Sequence, residues 1–187
     1  MKITVMDDEA RRSPARARRG GGVKDGAGLK FQKTITINRP VAEVYRFWRN
    51  FENLPRFMRH LASVNIKTES ISHWAVKTSE KHVLEWDAQL IEDRANELVS
   101  WQSLEGADVD NAGSVWFKPA VGNRGTVVKV TLKYAPPGGK FAAKVAKMFG
   151  KDAEATIEDD LYRFKSLLET GEIPTVEGQP RGNQKQK

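Results

Sequence analysis

Residues 83–91 read Val83-Leu84-Glu85-Trp86-Asp87-Ala88-Gln89-Leu90-Ile91, and residues 97–101 read Glu97-Leu98-Val99-Ser100-Trp101. In the first stretch every second side chain is apolar, which puts Leu84, Trp86, Ala88 and Leu90 on one face and Glu85, Asp87 and Gln89 on the other. A period of two predicts two sheet strands with one buried and one solvated face, joined by a turn at residues 92–96. Tryptophans on the buried face either fill a core or line a hollow, and that choice decides the function.

Composition limits the class of protein. A chain of 187 residues with 39% hydrophobic and 29% charged residues is typical of one soluble domain with a real core. Because cysteine is absent, disulfide scaffolds, thiolate zinc sites and cysteine nucleophiles are excluded. The sequence has neither a signal-peptide pattern nor an apolar run of the ~20 residues that a membrane span needs. We therefore expect a cytoplasmic location.

The net charge of +7 is concentrated near the N-terminus, where residues 1–30 carry +4. We expect residues 1–29 to form a disordered basic arm, residues 30–170 one folded domain, and residues 171–187 a disordered tail. Clustered arginines in the arm are compatible with docking on an anionic membrane or a nucleic acid. A solubilising arm is the simpler interpretation, and we regard nucleic acid as the less favoured partner.

The remaining pattern predicts one strand, two short helices, a run of strands and a long terminal helix. The first strand is expected near residues 31–37, a helix opens at Pro40, and a second short helix begins near Phe51. Further strands are predicted at about 61–68, 71–78, 82–92, 97–103, 113–118 and 125–134, with a turn at residues 123–125. At the end of the chain, one apolar stripe contains Phe141, Val145 and Phe149, and another contains Ile157, Leu161, Phe164 and Leu168. The stripes would face opposite sides of one straight helix, so we predict a break at Gly150.

Several short stretches resemble the START, or helix-grip, superfamily (SRPBCC), and within it the polyketide cyclase/dehydrase-like branch, which includes coenzyme Q-binding START-type proteins. They are Val44-Tyr45-Arg46-Phe47-Trp48, Asn53-Leu54-Pro55-Arg56-Phe57, Ser72-His73-Trp74, Glu85-Trp86-Asp87-Ala88, Arg124-Gly125-Thr126 and Asp159-Asp160-Leu161-Tyr162-Arg163. The resemblance covers about residues 30–170. It implies an α+β helix-grip fold, in which a curved antiparallel sheet of six to seven strands wraps around a long C-terminal helix. It also implies an apolar ligand between sheet and helix, without a cofactor.

The candidate ligand-binding residues are apolar side chains on the predicted inner faces. They are Trp74, Val76, Trp86, Leu90, Val99, Trp101, Phe117, Val130, Leu132, Tyr134, Phe141, Val145, Phe149, Leu161 and Phe164. Aromatic side chains suit such pockets because they bury large areas. Close packing of each of these residues in a solid core is the competing interpretation. The segment around Phe141 and Phe149 is amphipathic, which is compatible with a lid that contacts a membrane peripherally.

No residues in the sequence form a convincing catalytic or metal-binding set. Glu85 and Asp87 are neighbours on one strand face, but their phase predicts that they face solvent, as it does for Trp116 on a later strand. His60, His73 and His82 lack the spacing of a helical metal pair, so no metal is expected. We therefore favour a carrier or binding protein for an apolar small molecule over an enzyme, and the question of catalysis stays open. An aromatase/cyclase-type enzyme is the first alternative, and a docking module that uses the basic arm is the second.

Overall fold

A computed structural model of the chain describes residues 29–79, 82–135 and 153–174. Its elements are β1 (Leu29–Ile37), α1 (Val41–Arg49), a 3-10 helix (Phe51–Arg56), β2 (Leu61–Ile66), β3 (Ile71–Ser79), β4 (His82–Arg94), β5 (Leu98–Ser103), β6 (Asp110–Pro119), a 3-10 turn (Val121–Asn123), β7 (Thr126–Ala135) and α2 (Ala153–Thr170). Every predicted strand is present. Residues 1–28 of the predicted basic arm, the predicted break at Gly150 and the C-terminal tail from residue 175 onward lie outside the described residues.

The seven strands form one antiparallel sheet in the order β1-β7-β6-β5-β4-β3-β2. Strands β2 to β7 are a simple meander, and β1 joins it beside β7. Because β1 and β2 lie at opposite edges, the segment containing α1 and the 3-10 helix has to cross the sheet. The predicted helix-grip architecture is confirmed.

Strand β4 contains a β-bulge that the alternation did not predict. Leu90 pairs with Trp101, but Glu92 pairs with Ser100, so one extra residue stands on β4 between the two pairs. The extra residue reverses the phase of the strand and turns Asp93 to the inner side, opposite Val99. There the carboxylate accepts hydrogen bonds from Tyr45 and Arg49 of α1, which fixes that helix against the sheet.

The core is continuous from α1 through the sheet to α2. Trp48 of α1 packs edge to face on Phe164 of α2 at 5.1 Å between ring centroids, and Phe57 stacks on Phe164 at 4.7 Å. All three side chains are almost fully buried. This aromatic contact fills the space between the C-terminal half of α2 and α1.

Polar contacts hold α2 along β1. Arg39, just after β1, donates from Nε to the carbonyl of Leu168 at 2.8 Å and from a terminal nitrogen to that of Glu169 at 2.6 Å. Lys33 of β1 forms ion pairs with Glu154 and Glu158 at 3.1 and 2.9 Å. The two ends of α2 are therefore tied to the same edge strand, which sets the position of the helix over the sheet.

Candidate ligand cavity

A cavity of about 160 Å³ lies between the inner face of the sheet and the N-terminal half of α2. Its wall is mainly aromatic and aliphatic, and it is formed by Phe31, Trp48, Phe57, Met58, His60, Leu61, Trp74, Val76, Trp86, Trp101, Val109, Asn111, Val130, Leu132, Lys133, Tyr134, Thr156, Ile157, Asp160 and Leu161. The segment between the 3-10 helix and β2 closes one side, and contributes Met58 and His60. The helix and sheet therefore enclose a hollow beside a close-packed core.

Three tryptophans from neighbouring strands form a layer in the cavity wall, here called the tryptophan cluster: Trp74, Trp86 and Trp101. Trp74 stacks on Trp86 at 6.2 Å and on Trp101 at 5.9 Å, with interplanar angles of 14° and 16°. The ring of Trp101 lies across Gly113 of β6, where an added Cβ would stand 2.3 Å from a ring carbon. The glycine is therefore required for this packing, and the flat faces of the cluster shape the cavity.

The structure divides the predicted lining residues into three groups. The cavity wall contains Trp74, Val76, Trp86, Trp101, Val130, Leu132, Tyr134 and Leu161. The hydrophobic core outside that wall contains Leu90, Val99, Phe117 and Phe164. Phe141, Val145 and Phe149, and with them the proposed lid, lie outside the described residues. Whether any of these side chains contacts a ligand stays a prediction.

The exclusion of Val99, Phe117 and Phe164 from the wall has a physical cause. Phe117 and Val99 lie under α1, where Tyr45 meets Phe117 edge to face at 5.7 Å. Phe164 is enclosed by Trp48 and Phe57. Sequence phase places a residue on the inner face correctly, but it cannot distinguish the part covered by α1 from the part left hollow.

Asp160 is one of the polar wall residues that the sequence-based reasoning missed. Its carboxylate accepts a hydrogen bond from the backbone N–H of Arg59 at 3.1 Å. Burial raises the pKa of Asp160 to about 6, against the opposing effects of that hydrogen bond and of the Arg163 and Arg59 charges. A carboxyl group with such a pKa exchanges a proton near neutral pH, so Asp160 gives the wall a group capable of acid–base chemistry.

Two of the tryptophans that line the cavity have a buried indole N–H without a hydrogen-bond partner among the described residues. The indole nitrogens of Trp48 and Trp86 are buried and make no hydrogen bond within the described parts of the chain. In contrast, the indole N–H of Trp74 donates to Ser72 Oγ at 2.8 Å. An unsatisfied buried donor costs about 1–3 kcal/mol, so two of them around one cavity require an explanation.

The outer face of the sheet carries the acidic residues that had been considered as a catalytic pair. Asp87 lies 2.8 Å from both Lys67 Nζ and His73 Nδ1, and its pKa is lowered chiefly by the Lys67 hydrogen bond. Glu85 is exposed beside it. Trp116, also on the outer face, lies under the Arg94 guanidinium at 5.0 Å. These contacts are those of a solvated surface, as the strand phase predicts.

Searches for two other kinds of site gave no candidate within residues 29–79, 82–135 and 153–174. This part of the chain has no group of three or more His, Asp or Glu side chains placed to hold a metal ion. Neither of its two α-helices is long and apolar enough to cross a membrane. The cavity is therefore the feature on which a functional argument can be built.

Known proteins share both the sequence and the architecture. The chain is 29% identical over 140 residues to an uncharacterized 17.2 kDa protein of Streptomyces lincolnensis, a match that covers 75% of this chain and 89% of that protein. A solved structure from Deinococcus radiodurans is 32% identical, with a TM-score of 0.63, and covers 77% of this chain and all of its own. The Zhui aromatase/cyclase from Streptomyces sp. R1128 has the same fold at 12% identity and a TM-score of 0.60, over 77% of this chain and 98% of its own.

A family model, which describes the sequence pattern shared by all members, assigns the chain to a family. The model of the family described as polyketide cyclase/dehydrase and lipid transport matches residues 37–161, the stretch that builds α1, most of the sheet and the cavity-lining part of α2. A match over more than half of the chain agrees with the 32% identity to the Deinococcus structure. The chain belongs to the polyketide cyclase/dehydrase and lipid transport family.

Proposed function

We propose that the protein binds an apolar small molecule in the cavity between sheet and α2, as a carrier or binding protein. The observation that carries the proposal is a partly open hollow of about 160 Å³ whose wall includes four of the chain's five tryptophans. A wall of this kind favours apolar ligands because burial removes their surface from water. Membership of a family whose description includes lipid transport supports the same conclusion. The candidate ligand classes are lipids, isoprenoids or quinones, and polyketide-like molecules.

The first experiment is to identify what occupies the cavity. Native mass spectrometry of the full chain, purified without detergent, should show an added mass that organic extraction removes. In parallel, N-phenylnaphthylamine, a neutral probe that fluoresces in apolar sites, should bind with one site per chain. Preparations without an added mass, together with no saturable probe binding, would reject the proposal.

A matched pair of variants tests whether binding occurs in this cavity. Leu132 lines the cavity, whereas Thr131, its neighbour on β7, has the opposite strand phase. Leu132→Trp should fill the hollow and abolish probe binding, and Thr131→Trp should leave binding unchanged. Both variants have to unfold cooperatively in urea, so that lost binding is not confused with lost structure. Equal binding by the two variants would place the probe elsewhere.

Asp160 supports a second candidate, an aromatase/cyclase-type enzyme. A carboxyl group on the cavity wall with a pKa of about 6 can donate or accept a proton near neutral pH. The test is to incubate the protein with a linear poly-β-keto thioester and follow ring-containing products by chromatography. Products that disappear with Asp160→Asn, while probe binding persists, would support the enzyme. Binding of the thioester without any turnover would favour the carrier.

A further inference from the structure

We infer that the outer face of strands β1, β7 and β6 binds single-stranded nucleic acid. This part of the sheet, called the basic face, carries four exposed lysines and a partly exposed tryptophan: Lys30, Lys118, Lys129, Lys133 and Trp116. It lies on the side of the sheet opposite to α2 and the cavity, so the inference does not depend on the proposed function. It also concerns a different surface from the N-terminal arm.

Strand register fixes how the basic face is arranged. Lys133 of β7 lies directly opposite Lys30 of β1, and Lys129 of β7 lies directly opposite Trp116 of β6. Although Lys133 also borders the cavity, its strand phase directs the side chain outward, and the residue is exposed. Lys118 stands two residues beyond Trp116 on β6. From Lys118 to Lys133 the cations therefore extend over about 20 Å along the strands.

The lysines of the basic face lack the carboxylates that balance cations elsewhere on the sheet. None of the four forms an ion pair with another residue that the structure describes. The only acidic residue with the outer phase on β1, β6 or β7 is Asp110, at the very start of β6. At the end of β4, in contrast, Arg94 pairs with Glu92 and Glu97 at 3.0 and 3.2 Å. The basic face thus presents four cations against one carboxylate.

The ordinary reasons for surface lysines do not account for this pattern. Lysines on edge strands oppose aggregation between sheets, but β6 and β7, which contribute three of the four, are paired on both sides. Soluble surfaces normally mix charges of both signs. Here Lys30 and Lys133 are direct cross-strand neighbours, and like charges in that position destabilise a sheet. A bound polyanion would turn this repulsion into attraction.

The surroundings of the lysines indicate which polyanion fits. Trp116 is partly exposed, lies under the Arg94 guanidinium at 5.0 Å, and stacks on no other aromatic ring of the described residues. An open aromatic ring beside unpaired cations suits a single strand, because unpaired bases stack on the ring while the phosphates meet the charges. The side chains between the lysines are polar and can hydrogen-bond to sugars and phosphates: Gln32, Thr34, Ser114 and Thr131.

An anionic membrane fits the basic face less well. None of the exposed large hydrophobic side chains of the described residues has the outer phase on these three strands, so nothing on the face can enter the acyl region. Docking there would also turn the cavity away from the bilayer, since the cavity lies on the inner face of the sheet. The face therefore favours a polyanion that lies flat on it and supplies flat bases.

The test is fluorescence anisotropy of a labelled ten-thymidine strand titrated with the full chain at several salt concentrations. Lys129→Ala should weaken binding about 3- to 10-fold and lower the slope of log K against log salt by about 0.7, the value for one lost phosphate contact. Lys77→Ala is the matched control. It removes the same charge from an exposed lysine on the same side of the sheet, three strands away from β6, and should leave the slope unchanged.

Stacking on Trp116 is measured with a second strand of equal charge that has no bases. Wild type should prefer the thymidine strand over this abasic strand by about 10-fold, within the range for one stacked base. Trp116→Leu should remove most of that preference and leave the salt slope unchanged. Trp116 is partly exposed, so the variant should fold, and cooperative unfolding in urea checks this.

Three outcomes would overturn the inference. The first is the absence of saturable binding by wild type. The second is binding that neither Lys129→Ala nor Trp116→Leu weakens, which would place the strand on the N-terminal arm. The third is binding to phosphatidylserine vesicles that depends on Lys129 without binding of the thymidine strand, which would make the basic face a membrane contact. In each case the binding of N-phenylnaphthylamine in the cavity decides the proposed function separately.

Discussion

Replacing Asp160 with asparagine should stabilise the protein at neutral pH, although the carboxylate accepts a native hydrogen bond. The amide oxygen of asparagine can still accept from the backbone N–H of Arg59, so the substitution removes the charge and keeps the contact. The substitution removes the free-energy cost of burying a charged carboxylate. That cost is what raises the pKa of Asp160 from 3.8 to about 6. At 1.36 kcal/mol per pKa unit, that difference corresponds to about 3 kcal/mol.

The sign follows from proton binding in the two states. Between pH 3.8 and about 6 the folded protein binds more protons at Asp160 than the unfolded chain does, so its stability falls as pH rises through this window. The cost is about 1 kcal/mol at pH 4.5 and reaches its full value of about 3 kcal/mol by pH 8. Asp160 is only partly buried, so solvent screens its charge. We therefore expect the destabilisation caused by the carboxylate to increase by about 1–2 kcal/mol between pH 4.5 and pH 8.

The measurement is urea unfolding of wild type and Asp160→Asn at pH 4.5, 6 and 8. The difference between the two proteins isolates position 160, because the rest of the chain is the same in both. Asp159→Asn, on the exposed side of α2, is the matched control and should change stability by less than about 0.5 kcal/mol. A variant destabilised equally at all three pH values would refute the reasoning, since it would show that the carboxylate is favourable where it lies.

Three further substitutions test packing and surface contacts. Gly113→Ala puts a Cβ 2.3 Å from the Trp101 ring, so it should lower the free energy of unfolding in urea by about 1–3 kcal/mol and alter the tryptophan fluorescence. An unchanged free energy and an unchanged spectrum would mean that the ring has room to move. Arg39→Ala removes the hydrogen bonds to the carbonyls of Leu168 and Glu169 in the last turn of α2. It should cost about 1–3 kcal/mol, measured by thermal unfolding, with Arg39→Lys recovering part of it. Lys67→Ala breaks an exposed ion pair with Asp87 and should cost less than about 1 kcal/mol of stability. Because the ion pair lowers the pKa of Asp87, this effect should vanish as pH falls below 3.8 and the carboxylate is protonated. Added salt should also remove it, since salt screens exposed charges.

The strands could be predicted from the sequence because their two faces differ. In β4 the alternation from Leu84 to Leu90 holds in the structure, with the apolar side chains inward and Asp87 outward. The bulge after Leu90 could not be predicted, since a bulge depends on which residues the partner strand offers. Its consequence, an inward Asp93 bonded to α1, depends on contacts more than forty residues apart in sequence.

The site was predictable in part for a similar reason. Periodicity alone placed Trp74, Trp86 and Trp101 on the inner face, and their stacking follows from that. Asp160 carried a signal too, because it stands three residues after Ile157 and four before Phe164, on the apolar side of α2. It was missed because a charged residue beside an apolar stripe is normally solvated. Its burial comes from the segment at Arg59, one hundred and one residues away.

The cavity wall concentrates groups that lower the stability of the empty protein. A carboxyl group whose pKa is raised by burial and two indole donors without acceptors all border one hollow. Elsewhere on the inner face polar groups are paired, as the inward Asp93 is with Tyr45 and Arg49. Apolar residues at the three cavity positions would avoid these costs and fill the space, so packing alone would not select the residues present.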